Sequence, residues 1–92
     1  MDKKSIEQSA WALKKAKELV RKFTGLSAED VDDLNERMKA IGTRSSMEEL
    51  NRLAASAGLF GITDKDKILE FVEAVDRINV ALSQFNPYGR LE

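Results

Sequence analysis

Residues 46–85 read SMEELNRLAASAGLFGITDKDKILEFVEAVDRINVALSQF, and the punctuation of this stretch decides the fold. Ser46, followed three residues later by Glu49, has the spacing of a capping box, in which hydroxyl and carboxylate meet the free N–H groups of a helix start. Leu50, Leu53, Ala54 and Ala57 then recur at helical spacing as an inward face. Gly58 is the predicted stop, at positive φ. The connector Leu59-Phe60-Gly61-Ile62 is apolar, so its side chains are expected to turn inward, with Gly61 permitting the crossing and Ile62 plugging the junction. Thr63 and Asp66 read as a second capping pair, opening a helix from about Asp64 to Phe85. In it Ile68, Phe71, Val75, Ile78, Leu82 and Phe85 step by three and four, the widest apolar face in the chain. Asn79 falls inside that face and reads as a hydrogen-bonded core amide rather than a ligand. Leu69 and Val80 lie off the main arc and are expected to mark a second contact face. Asn86-Pro87 closes the helix, because the residue before Pro resists the helical region.

The same grammar extends toward the N-terminus. Ser27 caps a helix with Asp30 as reciprocal acceptor and with Leu26 and Val31 spaced as a hydrophobic staple. Its stripe is Val31, Leu34, Met38 and Ile41, and Gly42 ends it. From Ser5 to Phe23, Ile6, Ala10, Leu13, Ala16, Leu19, Val20 and Phe23 occupy one half of a first helix that Gly25 stops. Trp11 breaks this pattern by projecting from the charged side, among Lys4, Lys15, Glu18 and Lys22. There it either rests on lysine stems, with a cation–π contact from Lys15, or meets another chain. No strand-like alternation occurs. The predicted fold is all-α, a bundle of four helices, the third short.

Ninety-two residues allow one domain. Residues 1–25 form its basic helix, residues 26–86 its helical core and residues 87–92 a tail whose Leu91-Glu92 reads as vector-derived. The start, Met1-Asp2-Lys3-Lys4, leads into an amphipathic segment, so no secretion signal is expected. No stretch is long and apolar enough to span a membrane. The net charge of −1 hides an asymmetry: residues 1–22 carry seven Lys/Arg against three Asp/Glu, and residues 23–50 the reverse bias, three against seven. Either the basic helix lies beside the acidic one, or each meets a partner of opposite sign.

The chain has no His and no Cys, which removes imidazole acid–base chemistry, thiolate nucleophiles and the usual zinc sites. Asp32/Asp33 and Glu48/Glu49 abut helix starts, where acids are favoured by the helix dipole. Adjacent helical residues also point about 100° apart and cannot share a proton. Asp64-Lys65-Asp66 opens like a calcium loop but continues as helix. Ser45 and Ser46 have no base to activate them in a chain without His, and capping explains them. No catalytic residue, cofactor or metal is therefore expected. Nucleic acid is not an expected partner either, since Glu7 and Glu18 interrupt the basic face and Asp64, Asp66 and Glu70 open the last helix.

The stretches Ser46-Met47-Glu48-Glu49-Leu50, Ala54 to Ile62, Ile68-Leu69-Glu70-Phe71-Val72 and Asp76 to Leu82 resemble the core region of tailed-phage tail tape measure proteins. That family shows a short helix ending in Ala-Gly, a two-residue step to Gly-Ile, and an acidic-capped helix carrying Ile-Leu-Glu-Phe. The resemblance covers roughly residues 26–85 and departs at Leu59-Phe60, where a polar residue is common first. It implies a structural, non-enzymatic segment of a much longer, prophage-encoded protein that sets tail length and acts in tail assembly and DNA ejection. Its implied partners are tail tube and tail assembly proteins and other tape measure chains, in the virion tail lumen and, during assembly, the host bacterial cytoplasm. Weak self-association through Trp11 is a further expectation. The alternative is a small bacterial helical module that binds protein or nucleic acid through the basic helix at residues 2–23.

Overall fold

The computed structural model describes residues 3–85, with side chains described for residues 10–84. It contains four helices, α1 (Lys3–Thr24), α2 (Ala28–Lys39), α3 (Met47–Leu59) and α4 (Lys65–Phe85), and no strand among the described residues. The fold is all-α, as the sequence predicts, although α3 is one residue longer than α2 rather than the short member. The tail at 87–92 and the Asn86-Pro87 stop lie outside the described residues.

Helix starts follow their caps. Ser27 Oγ accepts from the Asp30 N–H at 3.1 Å. The Asp30 carboxylate takes the Lys65 ammonium at 3.2 Å instead of completing a reciprocal box. At α3 the box closes in both directions, Glu49 N–H to Ser46 Oγ at 3.1 Å and Ser46 N–H to Glu49 Oε1 at 3.0 Å. For α4 the cap is Asp64, whose Oδ2 accepts from the Lys67 N–H at 3.2 Å. Thr63 and Asp66 do not form the expected pair, because the Asp66 carboxylate is held by Arg37 at 2.6 Å.

The stops correct one expectation. Gly25 and Gly42 have φ of 78° and 70° as helix-ending glycines do. Gly58 does not have positive φ; the left-handed residue is Gly61, at 85°. The Ile62 N–H bonds Ala57 O and the Gly61 N–H bonds Gly58 O, both at 3.0 Å. That is a Schellman closure, and it puts the end of α3 three residues later than expected. Gly58 is glycine for another reason. A Cβ there would lie 2.5 Å from Phe23 O and 2.9 Å from Thr24 Cγ2. The missing side chain lets the backbone of α1 press onto α3.

Helix α3 sits in the middle and touches the other three, whereas α1 and α4 do not meet among the described residues. Phe23 lies at Gly58, and Leu13 shares a groove with Met47, so α1 and α3 run in the same direction. Lys65 reaches Asp30 and Asp33, and Ser45 reaches Asp76, so α4 follows the direction of α2. The core is Ala16 and Val20 of α1, Val31, Leu34 and Met38 of α2, Leu50, Ala54, Ala55 and Ala57 of α3, and Ile68 and Val72 of α4. Small side chains on α3 permit this close three-sided packing.

Buried polar groups tie the core together. The Asn35 and Asn51 amides bond each other reciprocally, at 3.0 and 2.7 Å, across α2 and α3. Their remaining donors go to Val31 O and Met47 O, each at 2.8 Å. No buried side-chain N or O atom among the described residues lacks a partner.

Several apolar residues expected inside are outside. In the connector, Leu59 and Phe60 are exposed, Phe60 by 76%, because the closure at Gly61 turns them away while Ile62 packs inward. Leu19 and Phe23 lie at the rim of α1, since the row Ala16, Val20, Thr24 faces α3. On α4, Ile78 is 56% and Leu82 61% exposed, and Asn79 is exposed rather than a core amide. The buried row of α4 is Ile68, Val72, Asp76, each a turn apart.

Candidate functional site

An open groove of about 600 Å³ lies between the α2–α3 loop and the second half of α4. Gly42 permits the turn that leaves this loop standing off α4. Arg44, Glu73 and Arg77 supply charge at its walls, and Val80 and Ala81 supply apolar surface. A smaller recess adjoins it and shares Arg44, Asp76, Val80 and Gln84 with it, adding Ser45, Glu49, Asn79 and Ser83.

Asp76 joins the two recesses. Among the described residues it is the one charged side chain that is buried, 4% exposed, and it accepts from Ser45 Oγ at 2.7 Å. This contact pins the loop to α4. A carboxylate alone is a weak base toward a serine hydroxyl, and no imidazole exists in the chain to relay the proton. The pair holds the loop in position. Glu49 stands nearby, and the Ser46 backbone N–H and then its hydroxyl hold the Glu49 carboxyl below its ordinary value, against burial and the like charge of Asp76, which push it up.

A second charged cluster bolts α4 to α2. The Lys65 ammonium bonds Asp33 Oδ2 at 2.8 Å and Asp30 Oδ1 at 3.2 Å. Arg37 completes it, reaching Asp33 at 3.2 Å and Asp66 at 2.6 Å. Lys65 holds the Asp33 carboxyl below its usual value, and Asp33 and then Asp30 hold the ammonium above its own.

The residues expected to form an interaction surface do not converge. Trp11 is 63% exposed, with Lys15 Nζ 5.6 Å from its ring centroid, as the cation–π reading anticipates. Lys22 stands over Phe23 instead, at 5.9 Å. Leu69 is half-buried against the core, so it offers no second face, while Val80 is a wall of the groove. Of the motif residues, Ser46 and Glu49 make the α3 cap, Gly61 and Ile62 its closure, and Phe71 packs 6.0 Å from Phe60. The basic residues Lys14, Lys17 and Arg21 of α1 share a recess with Asp32 of α2, so the basic helix does lie beside the acidic one.

Asp76, Asn35 and Asn51 are the polar residues that sequence reasoning passed over. The signal was present: Asp76 is one turn beyond Val72 and two beyond Ile68, and Asn35 follows Val31 by one turn. No group of three or more potential metal-ligating side chains occurs among the described residues. No described helix is long and apolar enough to cross a membrane. Comparison with protein-family models, curated proteins and solved structures finds no match to this chain.

Proposed function

We propose that this chain is a structural segment of a phage tail tape measure protein, acting in tail assembly and tail-length determination and carrying no catalytic centre. The observation that carries the reading is the resemblance of residues 46–82 to the family's core pattern. The residues of that pattern have definite mechanical work in the fold. Gly58 admits the α1 backbone, Gly61 closes α3, and Asp64 caps α4. The character of the molecule supports a structural role as well. Its buried polar groups are spent on joining helices, and its acid–hydroxyl pair at Asp76 and Ser45 pins a loop. The nucleic-acid alternative is weakened by the acids of α2, which stand beside Lys14, Lys17 and Arg21.

A tail-length ruler has a direct test. Deleting residues 26–85 in frame from the parent gene removes 60 residues, about 90 Å of chain at the helical rise. Electron micrographs of the resulting phage are expected to show tails shorter by about that amount. Tails of unchanged length, or a parent reading frame no longer than this chain, would overturn the proposal.

A further inference from the structure

Asp76 is buried without a counter-charge. Its Oδ1 accepts from Ser45 Oγ, and its Oδ2 accepts no hydrogen bond among the described residues. No buried side-chain oxygen among those residues lacks a partner. The 4% of Asp76 that stays exposed therefore includes Oδ2, which opens into the two recesses that Asp76 joins. Arg44 and Arg77 line the same groove, yet Arg77 turns to Glu73 at 3.8 Å and Arg44 forms no ion pair among the described residues. Around the two recesses three acids, Glu49, Glu73 and Asp76, stand against these two arginines. Buried carboxylates are ordinarily paired with a cation. This one has a neutral hydroxyl on one oxygen and an opening in front of the other.

We infer that the recess binds a primary alkylammonium group, its nitrogen at Asp76 Oδ2 and its carbon stem along Val80. At 100° per residue Asp76, Asn79, Val80 and Ser83 fall within an arc of about 100° on α4, so acceptors and an apolar wall share one face. An ammonium has three donors to distribute, and Asp76, Glu49 and the Asn79 amide oxygen line the recess as acceptors. Val80 and Ala81 cover methylene groups behind it. Two rival cations fit worse. A guanidinium binds best through both carboxylate oxygens at once, and Ser45 already engages Oδ1. A divalent metal asks for more oxygen ligands, and no group of three potential metal-ligating side chains occurs among the described residues.

The group has two sources, a lysine side chain on another polypeptide and a small free amine, and the open groove admits both. One charge-assisted contact and a short stem give weak binding, half-saturated at about 1–10 mM.

Titration of the full chain, followed by amide NMR at constant ionic strength, tests this. n-Butylammonium and Nα-acetyl-lysine N-methylamide are expected to move the Ser45, Asp76, Asn79 and Val80 signals along saturable curves. The uncharged n-butanol and Nα-acetyl-norleucine N-methylamide are expected to leave them in place. Several-fold tighter binding of the lysine derivative assigns the ammonium to a polypeptide, and equal binding assigns it to a free amine. Asp76→Asn keeps an acceptor for Ser45 and is expected to weaken both about tenfold or more. Glu49→Gln keeps the capping box and is expected to weaken both several-fold. Uncharged analogues that move the same signals as far overturn the inference, as do shifts that never saturate or an arginine derivative that binds more tightly than the lysine one. Unchanged binding in Asp76→Asn, or in Glu49→Gln, overturns it too.

Discussion

Replacing Gly58 by Ala tests the contact on which the α1–α3 packing depends. Inside an otherwise ordinary helix this change is favourable by about 1 kcal/mol, because alanine restricts the unfolded chain. Here the added Cβ would stand 2.5 Å from Phe23 O and 2.6 Å from the Phe23 carbonyl carbon. Both are backbone atoms, so no rotamer change relieves the clash. The helices must part by most of an ångström, loosening Ala16, Val20 and Thr24 on α3. Overpacking of this kind costs about 1–3 kcal/mol and occasionally more. Since α1 holds to the bundle mainly through α3, the upper part of that range applies. The net effect expected is a destabilisation of about 1–2 kcal/mol after the helix-propensity gain. For a domain of this size it corresponds to a fall in Tm of about 5–15 °C. Thermal melts followed at 222 nm measure it, with Ser56→Ala as control, since the Ser56 hydroxyl bonds only Arg52 O of its own helix. Gly58→Val should be worse than Gly58→Ala. An Ala variant as stable as wild type, or more stable, would refute the close approach of α1.

Other outcomes follow from the same contacts. Asn35→Ala or Asn51→Ala leaves the opposite amide buried without its partner, at a cost of about 1–3 kcal/mol. The double change should cost less than the two single ones together, and additive urea-denaturation values would refute the coupling. Asp33 and Glu49 have folded values below their ordinary 3.8 and 4.5, so their contribution is present above those values and lost as pH falls through the lower ones. Lys65 lies above its ordinary 10.5, so its contribution is complete below 10.5 and lost as pH rises through the folded value. The urea midpoint should therefore be level across neutral pH, and a step between about pH 6 and 8 would contradict this in a chain without histidine. Lys65→Met should flatten the acid limb. Trp11 should emit near the wavelength of free tryptophan and be quenched by iodide, and a blue-shifted, shielded Trp11 in a monomer would refute its exposure.

Local chemistry was legible because it depends on residues a few positions apart. Ser27, Ser46 and Glu49 form their caps, and Gly25 and Gly42 take the left-handed conformation, wherever the helices then pack. Gly58 shows where such reading ends. Two glycines three residues apart could each stop α3, and the choice turned on the Phe23 backbone, a neighbour 35 positions away. The candidate site was less legible. Asp76, Asn35 and Asn51 are polar types that a pattern of apolar periodicity assigns to the outside, yet each repeats a buried row at one-turn spacing. Their partners, Ser45 for Asp76 and each other for the two amides, come from separate elements.

The rotation of α4 carries a physical lesson of its own. Periodicity alone selects Ile68, Phe71, Val75, Ile78 and Leu82 as the face of this helix, whereas the bundle buries the row Ile68, Val72, Asp76. The two rows share Ile68 and then diverge around the helix. Hydrophobic periodicity reports that a face requires cover; it does not report which molecule supplies it. A bundle that satisfied α4 internally would have turned Val75, Ile78 and Leu82 inward. Asp76 opposes that turn, because rotating the apolar row inward would pull its carboxylate away from Ser45 and release the α2–α3 loop. The Lys65–Asp33 bond opposes it at the other end of the helix. Both anchors hold α4 in a rotation that presents its longest apolar row outward. Asp76→Asn keeps the hydrogen bond with Ser45 and should keep that rotation. Asp76→Leu removes it while leaving position 76 suited to burial, and should free the α2–α3 loop, read as faster amide exchange at Ser45 and Ser46. Unchanged exchange in Asp76→Leu would show that the Ser45 contact is not what holds the loop.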